Sequence, residues 1–169
     1  MSPKTPSVHL EHFRAQSKNK AKENQLFLEK LRKRKPGDLD NVTLDLHHKA
    51  FDHIDCLDCA NCCKTTSPIV IDRDIDRLAR RLKMKPSQVV DQYLRLDEDG
   101  DYVFTQAPCP FLMPDNYCMV YEDRPRACRE YPHTDRKRFH QILKLTYKNT
   151  LVCPAVLEVV DGLKEKYSQ

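Results

Sequence analysis

Eight cysteines are the residues of this 169-residue chain that could do chemistry. Four stand in the stretch HIDCLDCANCCK as Cys56-x2-Cys59-x2-Cys62-Cys63, and the others are Cys109, Cys118, Cys128 and Cys153. Thiolate is a soft donor, and a Cys-x2-Cys turn aims two sulfurs at one ion. Two successive x2 spacings also open the bacterial ferredoxin run, in which a further cysteine precedes proline. Cys109-Pro110 and Cys153-Pro154 both offer that dipeptide at a distance. The spacing predicts a four-sulfur shell, with three thiols from one loop and one remote thiol. Zinc and an iron–sulfur cluster both suit such a shell, and the double x2 spacing leans towards the cluster.

Cys62 and Cys63 are adjacent. Neighbouring side chains diverge by about 100° on a helix and point to opposite faces of a strand. Binding one ion with both is awkward, so the pair is expected to serve two sites, or to contain one ligand and one other thiol. Eight thiols make two four-cysteine shells, or one cluster plus four cysteines with other jobs, and spacing does not choose between them. A dication on four thiolates carries a net charge of about −2. Lys64, Arg124, Arg126 and Arg129 neighbour cysteines in sequence and would offset it. Cys153 falls at an expected helix start, where a thiol pKa is lowered. Any single downstream cysteine also fits as a small buried apolar residue. His53 and His133 read as a surface helix residue and a loop residue in preference to ligands.

The composition is that of a soluble globular protein with a modest core, 40% hydrophobic and 32% charged. No apolar run approaches the ~20 residues that span a bilayer. The opening MSPKTPSVHLEHFRAQSK holds no uninterrupted apolar segment of a secretory signal. The expected location is the cytoplasm, where thiols stay reduced and clustered cysteines read as metal ligands or redox groups before disulfides. Gly37, Gly100 and Gly162 are the only glycines. They can build neither the G-x-G-x-x-G turn nor a P-loop, which argues against a nucleotide-binding fold.

The elements that must position the thiols read as mainly helical with short β-hairpins, a small irregular cysteine-rich domain stapled by metal. Helices are expected over Lys18–Lys35, ended by Pro36-Gly37, and over Leu39–His53. Ile75, Leu78, Ala79 and Leu82 repeat as on an amphipathic helix, with Asp72 as its N-cap. Pro86 opens another helix carrying Val89, Val90, Tyr93 and Leu94. Asp99-Gly100 is a turn signal before a strand at Tyr102–Phe104. CPFLMPDNYCMVY reads as a second hairpin that brings Cys109 and Cys118 to one end. EDRPRACREYP makes a short helix, Leu143, Leu145 and Tyr147 alternate like a strand, and Pro154 opens a last helix with Val156, Val159, Val160 and Leu163 on one face.

Residues 1–50 hold 11 Lys/Arg against 6 Asp/Glu, whereas the remainder holds 18 against 19. The organisation expected is a basic helical extension over 1–50 and a cysteine-cluster metal-binding domain over 51–169. The span Asp74–Leu96 has helix-turn-helix spacing, but SQVVDQYLR offers an aspartate and one arginine where a reading helix needs several polar or basic contacts. Two packed core helices fit better, so nucleic acid is not the expected partner. A protein partner stays unspecified.

The combined pattern carries a resemblance. Cys56-x2-Cys59-x2-Cys62-Cys63, then Cys109-Pro110-Phe111-Leu112, then Cys118-Met119-Val120-Tyr121-x2-Arg124-Pro125-x2-Cys128-Arg129-x-Tyr131-Pro132 resembles the YkgJ-type cysteine-cluster family, known by its CxxCxxCC motif. Cys153 matches the family's last cysteine, and Tyr131 stands where phenylalanine is usual. The resemblance runs from Cys56 to Cys153 and leaves the stretch before Phe51 outside. It implies chelation of zinc or iron through the eight cysteines. A larger relative, the flagellin lysine methylase, has a similar cysteine domain thought to use an iron–sulfur cluster with S-adenosylmethionine. A modifying enzyme is therefore the alternative, against which stands the lack of a recognisable S-adenosylmethionine loop. A metal-stapled protein- or nucleic-acid-interaction module is the other alternative, and no reaction is assigned.

Overall fold

A computed structural model describes residues 9–168. Met1–Val8, which open the stretch read as lacking a secretory signal, lie outside the described residues. In chain order the elements are α1 (Leu10–Arg34), α2 (Leu39–Phe51), α3 (Cys56–Cys59), α4 (Asn61–Thr65), α5 (Asp72–Leu82), α6 (Pro86–Tyr93), β1 (Leu94–Leu96), β2 (Tyr102–Phe104), α7 (Arg126–Glu130), α8 (Leu143–Thr150) and α9 (Pro154–Tyr167). Helix dominates, and the one sheet among the described residues is the antiparallel pair β1–β2, with Leu94 opposite Phe104. Among them, too, no helix is long and apolar enough to cross a membrane. The chain divides into two compact units: residues up to Cys59 joined by those from Pro132 onward, and Ala60–Tyr131.

The first unit is helical. Val156, Val159, Val160 and Leu163 recur at helical spacing on α9 and are wholly buried. They pack with Leu28 and Leu31 of α1, Leu39 and Ala50 of α2, and Leu143 of α8. Gly162 allows α2 to approach α9 closely, since a Cβ there would meet Leu46 Cδ2 at 2.5 Å. The basic end of α1 is also tied in, because Arg34 Nη1 donates to Tyr167 O at 2.7 Å. That contact satisfies a carbonyl at the end of α9, where cations are favoured. α1 starts at Leu10, eight residues before the start read from composition.

The stretch Leu143–Tyr147 is helix α8, not the strand that its alternation suggested. Leu145 is 40% exposed, whereas Leu143, Thr146 and Thr150 are buried. The inward stripe therefore runs i, i+3, i+7, and two of its members are threonines, which the apolar pattern missed. Their hydroxyls are satisfied within the helix: Thr146 Oγ1 donates to Ile142 O and Thr150 Oγ1 to Tyr147 O. Threonine can be hidden in a helix by such back-bonding.

The second unit packs Ile75, Leu78 and Ala79 of α5 with Val89 of α6, Leu94, Phe104, Phe111 and Val120. The helix pair with helix-turn-helix spacing is thus built into a core. Asp72 is the first residue of α5 and not its N-cap as expected: Ile71 is the N-cap, and the capping carboxylate belongs to Asp74, which accepts the Ile71 N–H at 3.2 Å. The second hairpin is reduced to one bridge, Leu112 opposite Cys118, closed by Met113 N–H to Tyr117 O and Met119 N–H to Phe111 O. Turns at both its ends, Leu112 N–H to Cys109 O and Tyr121 N–H to Cys118 O, stop the ladder from lengthening.

Candidate metal centre

None of the eight cysteines is joined in a disulfide. In the second unit, Cys63 lies on α4 and its carbonyl accepts the Cys109 N–H at 2.8 Å. Cys109 and Cys118 sit at the start and the return of the CPFLMPDNYC turn, and both pack against the unit's core. Cys128 is on α7, whose first N–H, that of Arg126, donates to Asp74 Oδ1 at 3.1 Å. Asp74 is buried and also accepts Arg77 Nη2. Arg77 Nη2 in turn donates to Arg124 O at 3.1 Å. One carboxylate thereby fixes the start of α5 and of the segment carrying Arg124 and Cys128.

These thiols feel one another. Burial pushes Cys128 up to about 12, and the charges of Cys63, Cys109 and Cys118 push it the same way while Arg124 opposes them. Burial raises Cys109 to about 11, opposed by the backbone N–H groups of Phe111 and Leu112, with Cys63 and Cys118 adding to the rise. Cys118 is raised for the same reason, opposed by the Val120 N–H and Arg124. Cys63 goes the other way, to about 7, because Cys62 donates to it and Lys64 and Arg124 lie near, which outweighs burial.

In the first unit Cys56 and Cys59 are the two ends of the single-turn α3, Cys56 exposed and Cys59 buried. Cys153, at the start of α9, packs against the helical core. The N–H groups of Val156 and Ala155 point at its sulfur, the contribution foreseen from a helix start. Burial nevertheless wins and pushes Cys153 up to about 12, and the charges of Cys56 and Cys59 raise it further. The lowering expected from sequence is thus reversed.

The donor set suits a thiophilic metal. Sulfur is the soft ligand that selects zinc, copper(I) or iron–sulfur clusters. N–H groups directed at a cysteine sulfur stabilise the thiolate and tune its metal. Three of the thiols have such donors, at positions i+2 or i+3 along the chain. Arg124 and Lys64 supply cations beside Cys63. Arg126 instead pairs with Glu130 on the surface. Among the described residues, no three His, Cys, Asp or Glu side chains are drawn together as closely as a bound ion would hold them. His53 bonds Glu158 at 2.9 Å on the surface, the place expected of a non-ligand. The reading from sequence missed Asp74, whose only sequence signal is its third place in a helix that follows an extended residue.

A family model named CxxCxxCC, "Putative zinc- or iron-chelating domain", matches residues 55–153. Neither the curated proteins nor the solved structures gave a match.

Proposed function

The chain belongs to the CxxCxxCC family, and from that premise we propose that it is a metal-chelating protein whose eight cysteine thiolates hold zinc or an iron–sulfur cluster. One observation carries the reading. At Cys109, Cys118 and Cys153 neighbouring backbone N–H groups favour the thiolate, against burial that raises each thiol. Donors so placed repay desolvation only when the sulfur is a thiolate, the form in which it binds metal.

An iron–sulfur cluster is favoured over zinc. The x2-x2 triple and a remote Cys-Pro are the ferredoxin-like elements of the sequence. Of the two Cys-Pro dipeptides, Cys153-Pro154 is the one electrostatically associated with Cys56 and Cys59. A bound metal would supply the cross-link that a small core lacks. The residues around it keep water away and offset charge. Protein purified without oxygen and assayed for iron, zinc and acid-labile sulfide tests this. Iron and sulfide in equal amounts support the cluster, and zinc without iron gives the structural alternative. A chain that carries neither and takes up neither on reconstitution overturns chelation.

A further inference from the structure

We propose that the groove between α1 and α8 is a docking site for an acidic, amphipathic peptide segment of a partner protein, which seats an apolar side chain on the floor and carboxylates on the rim. The groove lies wholly within the first compact unit, and the proposal does not depend on the chelating reading.

The groove is open and has a volume of about 230 Å³. Small-molecule pockets run to roughly 300–1,000 Å³, so this one suits a side chain or two in preference to a whole cofactor. Its floor is apolar, formed by Leu28 and Leu143 at 2% and 1% exposure with the half-buried Tyr147. Its rim carries Arg32 of α1 and Lys144 and Lys148 of α8, all exposed. The one acid lining it is Glu29, which already accepts from Gln25 at 3.3 Å.

The rim cations are not used up by the fold. Elsewhere in this unit Lys20 pairs with Asp161, and Lys164 with Glu23 and Asp161. Among the described residues, Arg32, Lys144 and Lys148 have no hydrogen-bond or ion-pair partner. Arg32 and Lys148 stand in the last turns of their helices, where a cation suits the dipole. Lys144 stands in the first turn of α8, where a cation does not. Lys144 and Lys148 are also like charges at i, i+4 on a helix, LKLTYKNT, that holds no acid. An anion received by the groove explains that placement. A phosphate backbone would be met by the cations and leave the apolar floor without use. Tyr147 packs against the helical core, whereas base stacking needs a ring that stands free. A peptide with acids and leucine-like side chains at helical spacing uses both floor and rim.

The test uses the metal-loaded full chain and a fluorescein-labelled peptide, EELLEELLEELL. Anisotropy is expected to show saturable binding that weakens as salt is added. The double variant Lys144→Gln/Lys148→Gln should weaken binding roughly fivefold or more. Lys49→Gln/Lys166→Gln removes the same charge from exposed positions outside the groove and should change binding little. Circular dichroism checks that both variants keep the fold. A peptide with serine in place of every leucine should bind at least as weakly as the groove variant does. Equal losses in the two variants, or undiminished binding of the serine peptide, would overturn the proposal. Tighter binding of an oligouridylate of equal charge would overturn it in favour of nucleic acid. Absence of saturable binding up to about 1 mM peptide would overturn it outright.

Discussion

Arg124 is the residue whose charge reaches most of the second unit's thiols. Its replacement by glutamine should leave the fold in place and weaken affinity for a thiophilic dication by roughly tenfold, the lower end of what removing a supporting residue costs. Competition with a chromophoric chelator measures this, and the exposed Arg129→Gln is the control, expected to change little. His47 supplies a pH-dependent prediction away from the sulfurs. Burial lowers its pKa and His48 lowers it further, while Asp135 opposes them; its Nδ1 bonds Thr134 Oγ1 at 2.7 Å. The folded state therefore takes up a proton at His47 less readily than the unfolded chain does. Below about 6.5 the unfolded chain binds this proton more strongly than the folded chain, so stability falls as pH drops. Denaturation from pH 7.5 to 5.5 should show that slope, and His47→Gln should flatten it. At this scale the eight thiols were legible in the sequence as a set, because types and spacings are local. The pKa of Cys153 was not, because burial by α1, α2, α8 and α9 is a tertiary quantity that outweighs the helix start.

Among the elements, α7 depends on a residue in α5. Asp74 is buried and accepts from Ile71, Arg77 and Arg126. Asp74→Ala leaves Arg77 without its carboxylate and two N–H groups without an acceptor, which should cost about 3 kcal/mol in chemical denaturation of the loaded protein. Helix α8 gives a second contrast. Leu143→Ala should cost about 3 kcal/mol as a buried truncation, whereas Leu145→Ala should cost under about 0.5. A strand would have put both on one face. The amphipathic helices α5, α6 and α9 were legible because their buried positions are apolar. The stripe of α8 was hidden by Thr146 and Thr150, and Asp74 by the tertiary origin of its partners.

For the whole molecule, the basic character of the first fifty residues serves the fold in part. Lys20 pairs with Asp161 at 2.7 Å, and Arg34 holds the last turn of α9. Helix α1 thus packs on α8 and α9, a long-range arrangement that composition alone does not report. The central claim is that cysteine sulfur, and no other donor, holds the metal. X-ray absorption at the zinc or iron edge of the loaded full-length chain tests it most directly. The account predicts a shell of sulfur alone, at about 2.3 Å if the metal is zinc. A shell of nitrogen or oxygen at about 2.0–2.1 Å would contradict it.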